Sequence, residues 1–275
     1  VIPLVILDLD GTVIGASGQV ASRVWEAADA ARAAGVKIAV CTGRPALGVA
    51  LRVARRLGPN VPHVFQSGAH IAFTDGETLV VSSLREAAAL KLVRHARALG
   101  LVLELYTPNN LYVERRTALS EAHAAMIGVG ALVRDLAEVA QNEPVIRAQW
   151  VLTLDQEPAA MALEVPDVHV SRAPSPAQPG TLFVSFTRKG TSKGSAVATL
   201  CKHLRVPLEK AMAVGDSSGD LPMLELVGYP LVTANAEAPL LERFPAVGSV
   251  EDGGVVEALW LALRGPRAVP RTAVG

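Results

Sequence analysis

Residues 1–12 read VIPLVILDLDGT, an apolar run that stops abruptly on two aspartates, a glycine and a threonine. Residues 2–7 are too few and too evenly apolar for a half-exposed strand or an amphipathic helix, so they are expected to form a strand buried on both faces of a parallel sheet. Asp8 and Asp10 then fall at its carboxyl end, the edge of an open α/β sheet where ligands bind. Side chains two apart along a strand point the same way, so both carboxylates are expected to face one crevice. Adjacent carboxylates repel, and a site that gathers them recruits a cation or keeps one protonated. Gly11 lets the backbone turn sharply and approach an anion through its N–H groups. A capped strand end followed by an Asp-Gly turn has the same local sequence, so the choice rests on what lies downstream.

Outward from this stretch, residues 20–34 carry an apolar stripe at Val24, Ala27, Ala28 and Ala31 and end at Gly35, which marks a helix. Residues 36–41 repeat the buried-strand pattern and end at Thr42-Gly43-Arg44-Pro45. Pro45 is expected to open a helix over 46–57, with a third strand at 61–65. This alternation predicts a doubly wound parallel sheet. Residues 71–73 and 78–81, joined at Asp75-Gly76, read as a hairpin laid over it.

From about Leu84 the rhythm changes. A helix over 84–99 precedes strands 102–106 and 111–113, which pair across Pro108-Asn109-Asn110; a second helical region and strands at 148–154, 168–170 and 182–186 follow. Hairpins beside helices predict an α+β unit with an antiparallel sheet. The expected fold class is α/β: a doubly wound, Rossmann-like parallel-sheet core formed by 1–83 and 186–275, with an inserted α+β cap domain at 84–185. The chain is expected to cross between them near Ser82-Ser83 and Phe186-Thr187. Residues 173–180 read as a Pro-rich surface loop. The buried-strand type resumes at 211–214, followed by 221–226, 229–232 and a helix over 254–263, and the tail 265–275 is expected to be frayed.

Composition narrows the function. Half of the 275 residues are hydrophobic, enough for a sizeable core, in one large domain or two smaller ones. Lys plus Arg equals Asp plus Glu at 26 each, with no stretch of one sign, so the footprint of a nucleic-acid binder is missing and small-molecule partners are expected. Cys41 and Cys201 lack metal spacing and read as reduced core residues, which fits a cytoplasmic protein. The first apolar run meets Asp8 too early for a signal core, and no run reaches the roughly 18–20 residues of a membrane span. A soluble chain with no membrane partner is expected.

Three further places look chemical. Thr42 follows its strand as Asp8 follows the first, so its hydroxyl and the next N–H, that of Gly43, would reach the same sheet edge. Lys193 lies in RKGTSKGSAV, in the first turn of a helix that Ser192 can cap, where the dipole disfavours a lysine unless it meets an anion. AVGDSSGDLPML places Asp216 at the end of another buried strand and Asp220 near the next helix start. Singly, these are an N-cap, a solvated lysine and a turn.

Together, Asp8, Asp10, Thr42, Lys193, Asp216 and Asp220 resemble, in order and spacing, the four motifs of the haloacid dehalogenase superfamily. With Thr233-Ala234-Asn235-Ala236 in the C-terminal half, the whole chain is similar to the Cof-type phosphatase branch, whose large α/β cap is inserted between the second and third motifs. A dehalogenase would lack the second aspartate and a cation-pumping ATPase would carry Thr there, so Asp10 points to phosphoryl chemistry on an oxygen leaving group. The resemblance implies that Asp8 attacks phosphorus to give an aspartyl phosphate and that Asp10 protonates the leaving alkoxide and later activates water. It implies Mg2+ held by Asp8, Asp216 and the backbone carbonyl of Asp10. Phosphoryl oxygens would be held by Thr42, Lys193 and the amides of Gly11 and Gly43. Asp220 would orient Lys193 or a metal-bound water, with Asn235 in support. Thr42 and Lys193 are expected to act on phosphate rather than on stability.

The sequence departs from the family pattern at Gly219, where Asn is common, and at Ser67-Gly68, where Asn-Gly is common. The substrate implied is a small phosphorylated metabolite, with sugar phosphates prominent. Candidate contacts are His70, Arg115, Arg116, His123, Arg147, Trp150, Arg172 and Arg188, each of which also has a packing or solvated reading. A phosphomutase of the same superfamily and a non-catalytic phospho-ligand binder remain as alternatives.

Overall fold

The computed structural model describes residues 1–174, 179–265 and 267. The chain divides into two compact units, one made of 1–43, 50–79 and 192–275, the other of 44–49 and 80–191.

The first unit is built on β1 (Leu4–Leu7), whose four side chains are fully buried. In chain order it is joined by α1 (Ser22–Ala33), β2 (Lys37–Val40), α2 (Gly48–Leu57), β3 (His63–Phe65), β4 (His70–Ala72) and β5 (Thr78–Val81). The second unit carries α3 (Glu86–Leu99), β6 (Val102–Tyr106), β7 (Leu111–Val113), α4 (Ala118–Ile127), β8 (Leu132–Val133), α5 (Leu136–Asn142), β9 (Arg147–Thr153), α6 (Glu157–Ala160), β10 (Val168–Pro174) and β11 (Thr181–Arg188). The first unit resumes with α7 (Lys193–Leu204), β12 (Ala211–Gly215), α8 (Leu221–Leu224), β13 (Tyr229–Thr233), α9 (Ala238–Leu241), β14 (Ala246–Val247) and α10 (Gly254–Arg264).

A five-stranded, all-parallel sheet in the order β14-β13-β12-β1-β2 forms the centre of the first unit. The alanine stripe of α1 is buried, and α1 packs against α10, whose Val255, Ala258, Leu259 and Ala262 are buried in turn. Pairing places Leu7 opposite both Val214 and Val40, so β1 and β2 end level and β12 runs one residue further, to Gly215. That register, set by three short apolar strands, puts the residues after Leu7, Val40 and Val214 side by side.

Two expectations are corrected here. The strand at 61–65 is not part of the parallel sheet; β3 belongs to a three-stranded sheet in the order β3-β4-β5 and pairs antiparallel with β4. The reason lies in His63. The Val40 N–H donates to His63 Nδ1 at 3.0 Å instead of to a strand carbonyl, while Nε2 donates to the Gly58 carbonyl at 2.9 Å. The imidazole thus occupies the edge of β2, and strand contact is reduced to one parallel bridge between Cys41 and Val64. The helix expected from Ala46 begins only at Gly48, whose φ of +52° is incompatible with helix continuing toward Pro45.

The second unit is a six-stranded sheet in the order β10-β11-β9-β6-β7-β8, antiparallel except for β7 beside β8. One face presents Leu103, Leu105, Ala148, Trp150, Leu152, Val184 and Phe186 to the apolar sides of α3 and α5. Among the alternate positions Glu104 pairs in register with Gln149, and Gln149 with Ser185, beside the apolar pair Val151 and Phe183. Strand β11 runs on through Phe186 and Thr187, where the return crossing was expected, to Arg188. Strand β10 reaches Pro174; the rest of the Pro-rich loop falls mostly on 175–178, outside the described residues, as does the tail beyond Gly265 apart from Arg267. Among the described residues no helix is long and apolar enough to cross a membrane.

Burial pushes the His63 imidazole down to about 4. The fold binds the neutral ring, so its contribution is complete above the unfolded value of about 6.5 and is lost as pH falls through about 4, a difference on the order of 3 kcal/mol. The gap in unfolding free energy between wild type and His63→Ala should therefore narrow steadily between pH 7 and pH 4 in urea titrations. A pH-independent gap would show that the imidazole acts only by filling space.

Candidate active site

Asp8 follows β1 directly, and its N–H still donates to Val214 O at 3.0 Å, so it is fixed as the last member of the strand ladder. Its carboxylate is buried and accepts from Lys193 Nζ at Oδ1, 2.6 Å away. The same ammonium donates to Asp220 Oδ1 at 2.5 Å. Lys193 is the first residue of α7, set there by a reciprocal cap in which Ser195 N–H donates to Ser192 Oγ and Ser192 N–H donates to Ser195 Oγ, both at 3.1 Å. The lysine is itself buried, which corrects the expectation that it lies outside the packed interior.

Asp220 is heavily engaged by donors of the protein, while Oδ1, with one donor, keeps a lone pair, and the residue belongs with Asp8 and Asp216 to the group of carboxylates that could hold a metal ion. Its Oδ2 accepts from the backbone N–H groups of Asp216 and Ser217 at 3.0 and 3.1 Å and from Ser217 Oγ at 3.2 Å, while Oδ1 serves Lys193. The Ser217 to Asp220 pair is a reciprocal cap whose S-x-x-D spacing is visible in the sequence. Asp220 therefore positions Lys193 and shapes the turn after β12.

Asp216 leaves β12 one residue beyond Gly215 and stands against the Asp-Gly turn. Gly11 holds φ +76°, and a Cβ there would lie 2.1 Å from Asp216 Oδ2, so only glycine lets these two segments meet. The Gly11 N–H donates to Ile14 O at 2.9 Å, which commits it within its own loop rather than to an anion, contrary to the role expected for it. Its carbonyl accepts from Asn235 Nδ2 at 2.8 Å and from Thr233 Oγ1 at 3.4 Å; Asn235 Oδ1 accepts from Val250 N–H at 2.8 Å. Asn235 is thus a clamp on the Asp-Gly loop. Thr12, which sequence reading passed over, donates to Asp216 Oδ1 at 3.4 Å.

Asp10 is exposed and lies past the end of β1, so the strand alternation that was to align it with Asp8 ends at Leu7. It remains near, since its charge helps to push both Asp8 and Asp216 upward. Thr42 is buried, donates its N–H to Val64 O at 2.9 Å and accepts from Ser67 N–H at 3.0 Å through its carbonyl. Gly43 follows, with Ser67 Oγ 3.3 Å from where its Cβ would be.

Electrostatics explain what the cluster lacks. Burial first, and then the neighbouring Asp220, push the Asp8 carboxyl well above the usual carboxylate range, although Lys193 pulls against them. Burial and Asp220 raise Asp216 to about 6. Burial alone would lower the Lys193 ammonium, but Asp8 and Asp220 outweigh it and hold its proton more firmly than in an ordinary lysine. One ammonium therefore faces three carboxylates whose oxygens lie within 4.8 Å of one another, and the excess is negative. The carboxylates of Asp8, Asp216 and Asp220, each able to offer one oxygen, form a hard-oxygen donor set, which fits a small divalent cation.

The residues nominated as substrate contacts are placed differently. Trp150 lies in the apolar core of the second unit, and His123 Nδ1 stands 2.8 Å from Glu104 Oε2, where Gln149 and Tyr106 also donate. Arg147 lies over the Tyr106 ring and Arg172 pairs with Glu157. His70 is buried against Thr78, whereas Arg115, Arg116 and Arg188 are exposed. At Gly219 a Cβ would meet only Ser217 Oγ, at 3.5 Å, so no neighbour fills the place of a side chain.

A parallel α/β sheet whose carboxyl edge gathers aspartates around a single buried lysine defines an enzyme that handles an anionic ligand through carboxylate chemistry. Residues 5–259 match the haloacid dehalogenase-like hydrolase model, and the chain belongs to that family, in its Cof-type branch, as a phosphatase. A Streptococcus pyogenes serotype M6 protein that carries the provisional name of phosphatase is 27% identical over 265 residues, covering 94% of this chain and 97% of its own. Among solved structures, a haloacid dehalogenase-like hydrolase from Bacteroides thetaiotaomicron superposes with a TM-score of 0.83 at 20% identity, covering 94% and 98% of the two chains. A sugar phosphatase of subclass IIB superposes at 0.76, also at 20% identity, covering 94% and 97%.

Truncating Lys193 would leave Asp8 and Asp220 buried and unpaired, which costs about 3–5 kcal/mol. Lys193→Ala should therefore lower the denaturation midpoint markedly at pH 8. The loss should shrink as pH falls and the stranded carboxyls take up protons. Equal losses at pH 8 and pH 5 in guanidinium titrations would assign the effect to lost packing alone.

Proposed function

We propose that the protein hydrolyses a small phosphorylated metabolite in a magnesium-dependent reaction through an aspartyl phosphate on Asp8. The observation that carries this reading is the buried Asp8 with Lys193 on one carboxylate oxygen, which leaves Oδ2 as the attacking atom. An ammonium has three N–H donors, and two are taken by Asp8 and Asp220. The third is available to a phosphoryl oxygen, beside Thr42 and the Gly43 amide. Exposed Asp10, on the adjoining loop, is the group placed to protonate the leaving oxygen and then to take a proton from water.

Magnesium, held by Asp8, Asp216 and the Asp10 carbonyl, would supply charge neutralisation for the phosphoryl group and the clustered carboxylates. Asp8, Asp10, Thr42, Gly43, Lys193 and Asp216 are the residues proposed to act directly, with Asp220 and Asn235 in support. A sugar phosphate is the substrate class we favour, because a structurally similar protein is described as a sugar phosphatase. The inserted segment 84–185 is proposed to serve as the cap that selects the leaving group. The free, buried cysteines suit a cytoplasmic enzyme.

With p-nitrophenyl phosphate as substrate, EDTA should abolish turnover and magnesium should restore it; equal rates in both would remove the metal from the scheme. Asp8→Asn should lose at least about 10³-fold in kcat. Asp10→Asn should allow a hydroxylamine-labile label to build up on Asp8 and decay slowly. A label passed to a second sugar hydroxyl would instead identify a mutase, and a label on another residue would overturn the mechanism.

The Asp216 value sets a pH signature. Because its folded value is raised to about 6, its contribution to stability is complete below about 3.8 and is lost as pH rises through 6. Magnesium binds the ionised form, so the rise in thermal midpoint on adding magnesium should be larger at pH 7.5 than at pH 5. An equal or inverted shift would place the cation elsewhere.

A further inference from the structure

At the end of β3, two consecutive residues other than glycine hold a left-handed backbone: Gln66 at φ 52° and Ser67 at φ 54°. That conformation is disfavoured for both. Gln66 adds a second cost. Its side chain is fully buried and, among the described residues, neither its amide nitrogen nor its amide oxygen has a hydrogen-bond partner. Buried polar groups are nearly always paired, and strain of this kind persists only where the surroundings over-determine it, most often where a ligand is held.

The surroundings here are two parts of the active site. Ser67 N–H donates to the Thr42 carbonyl at 3.0 Å. Gly68, at φ +105°, sits so close to the start of α7 that a Cβ would lie 2.3 Å from Ser192 O, the residue before Lys193. The turn is therefore wedged between the Thr42-Gly43 loop and the lysine-bearing helix terminus. Its tip is Ser67, which is exposed, with Oγ 3.3 Å from where a Cβ on Gly43 would stand.

We propose that Ser67 is a further substrate-binding residue whose hydroxyl donates a hydrogen bond to a phosphoryl oxygen of the bound monoester, beside the Gly43 amide. The assignment rests on the phosphatase reading above and extends it to a residue outside the aspartate, threonine and lysine set. A hydroxyl suits this position because it adds a donor without adding charge to a site whose balance is already set by Lys193. The left-handed turn is the local cost of bringing that hydroxyl to the loop.

The test uses Ser67→Ala, Ser67→Gly and Ser67→Asn with magnesium, p-nitrophenyl phosphate as substrate and inorganic phosphate as inhibitor. Alanine removes the hydroxyl and keeps the strained backbone; glycine removes both; asparagine keeps a donor and tolerates the left-handed region. The alanine and glycine variants should raise KM and the phosphate inhibition constant together by roughly tenfold, and asparagine should recover most of both. The glycine variant should melt at or above the wild-type temperature. Wild-type KM and phosphate inhibition in Ser67→Gly would overturn the proposal and assign the strained turn to packing. Stabilisation by inorganic phosphate, read as a thermal shift, separates this from failure of the phosphatase reading. If wild type lacks turnover but is stabilised by phosphate, and Ser67→Gly is not, the binding role stands and the hydrolytic reading falls; if phosphate stabilises both equally, the binding role falls.

Discussion

The first unit depends on one buried arrangement, Lys193 between Asp8 and Asp220. Removing two carboxylates and an ammonium from water is costly, and the Coulomb return offsets it only when the remaining oxygens are also satisfied. This explains the three donors on Asp220 Oδ2, two from backbone and one from Ser217. It also constrains the chain globally, because Asp8 and Lys193 are 185 residues apart and come from opposite sides of the inserted segment. The site exists only when the two halves of the parallel-sheet unit have joined.

Within that arrangement the two outer carboxylates are not equivalent. Asp220 is held by donors on both oxygens. Asp8 and Asp216 are held less completely and are raised, chiefly by burial and by Asp220. The fold spends its donors on the positioning carboxylate and leaves the other two with unmet demand for positive charge. In the proposed reaction a cation would meet that demand and relieve the repulsion, and with Lys193 it would let an anionic phosphoryl group approach the Asp8 oxygen that the lysine leaves open.

Much of this was legible in the sequence because short apolar strands followed by polar residues have few readings. The abrupt stops after Leu7, Cys41 and Val214 located the sheet edge, and the register sets Leu7 level with Val214 and with Val40, one residue before Cys41. Pattern reading failed where a side chain replaced a backbone partner. His63 looks like an ordinary strand residue, yet its ring takes the Val40 N–H and moves β3 out of the parallel sheet. Lys193 looks solvated because it opens a helix, and only the long-range pairing with Asp8 shows it to be interior. Gly11 suggested an anion-binding amide, but its donor is used by Ile14 and its missing Cβ is what matters. Gln66 carried no signal, and Ser67 stood out only as a departure from the Asn-Gly of the family pattern, since neither residue type marks a left-handed turn.

The asymmetry between the two ends of the parallel sheet follows from these details. At the amino end of β1, Ile2 simply continues the backbone pairing by donating to Ala262 O at 2.9 Å, and its side chain is buried. At the carboxyl end the chain accepts a left-handed Gly11, two left-handed non-glycine residues, a buried amide without a partner among the described residues and two raised carboxyls. None of these is required to close the sheet, because the strands are already paired one residue earlier. Each costs stability that the apolar strands and the packing of α1 on α10 must offset. The cost is concentrated where Asp8, Thr42, Lys193 and Asp216 converge, and that concentration is the physical argument for taking this edge as the candidate site of the first unit.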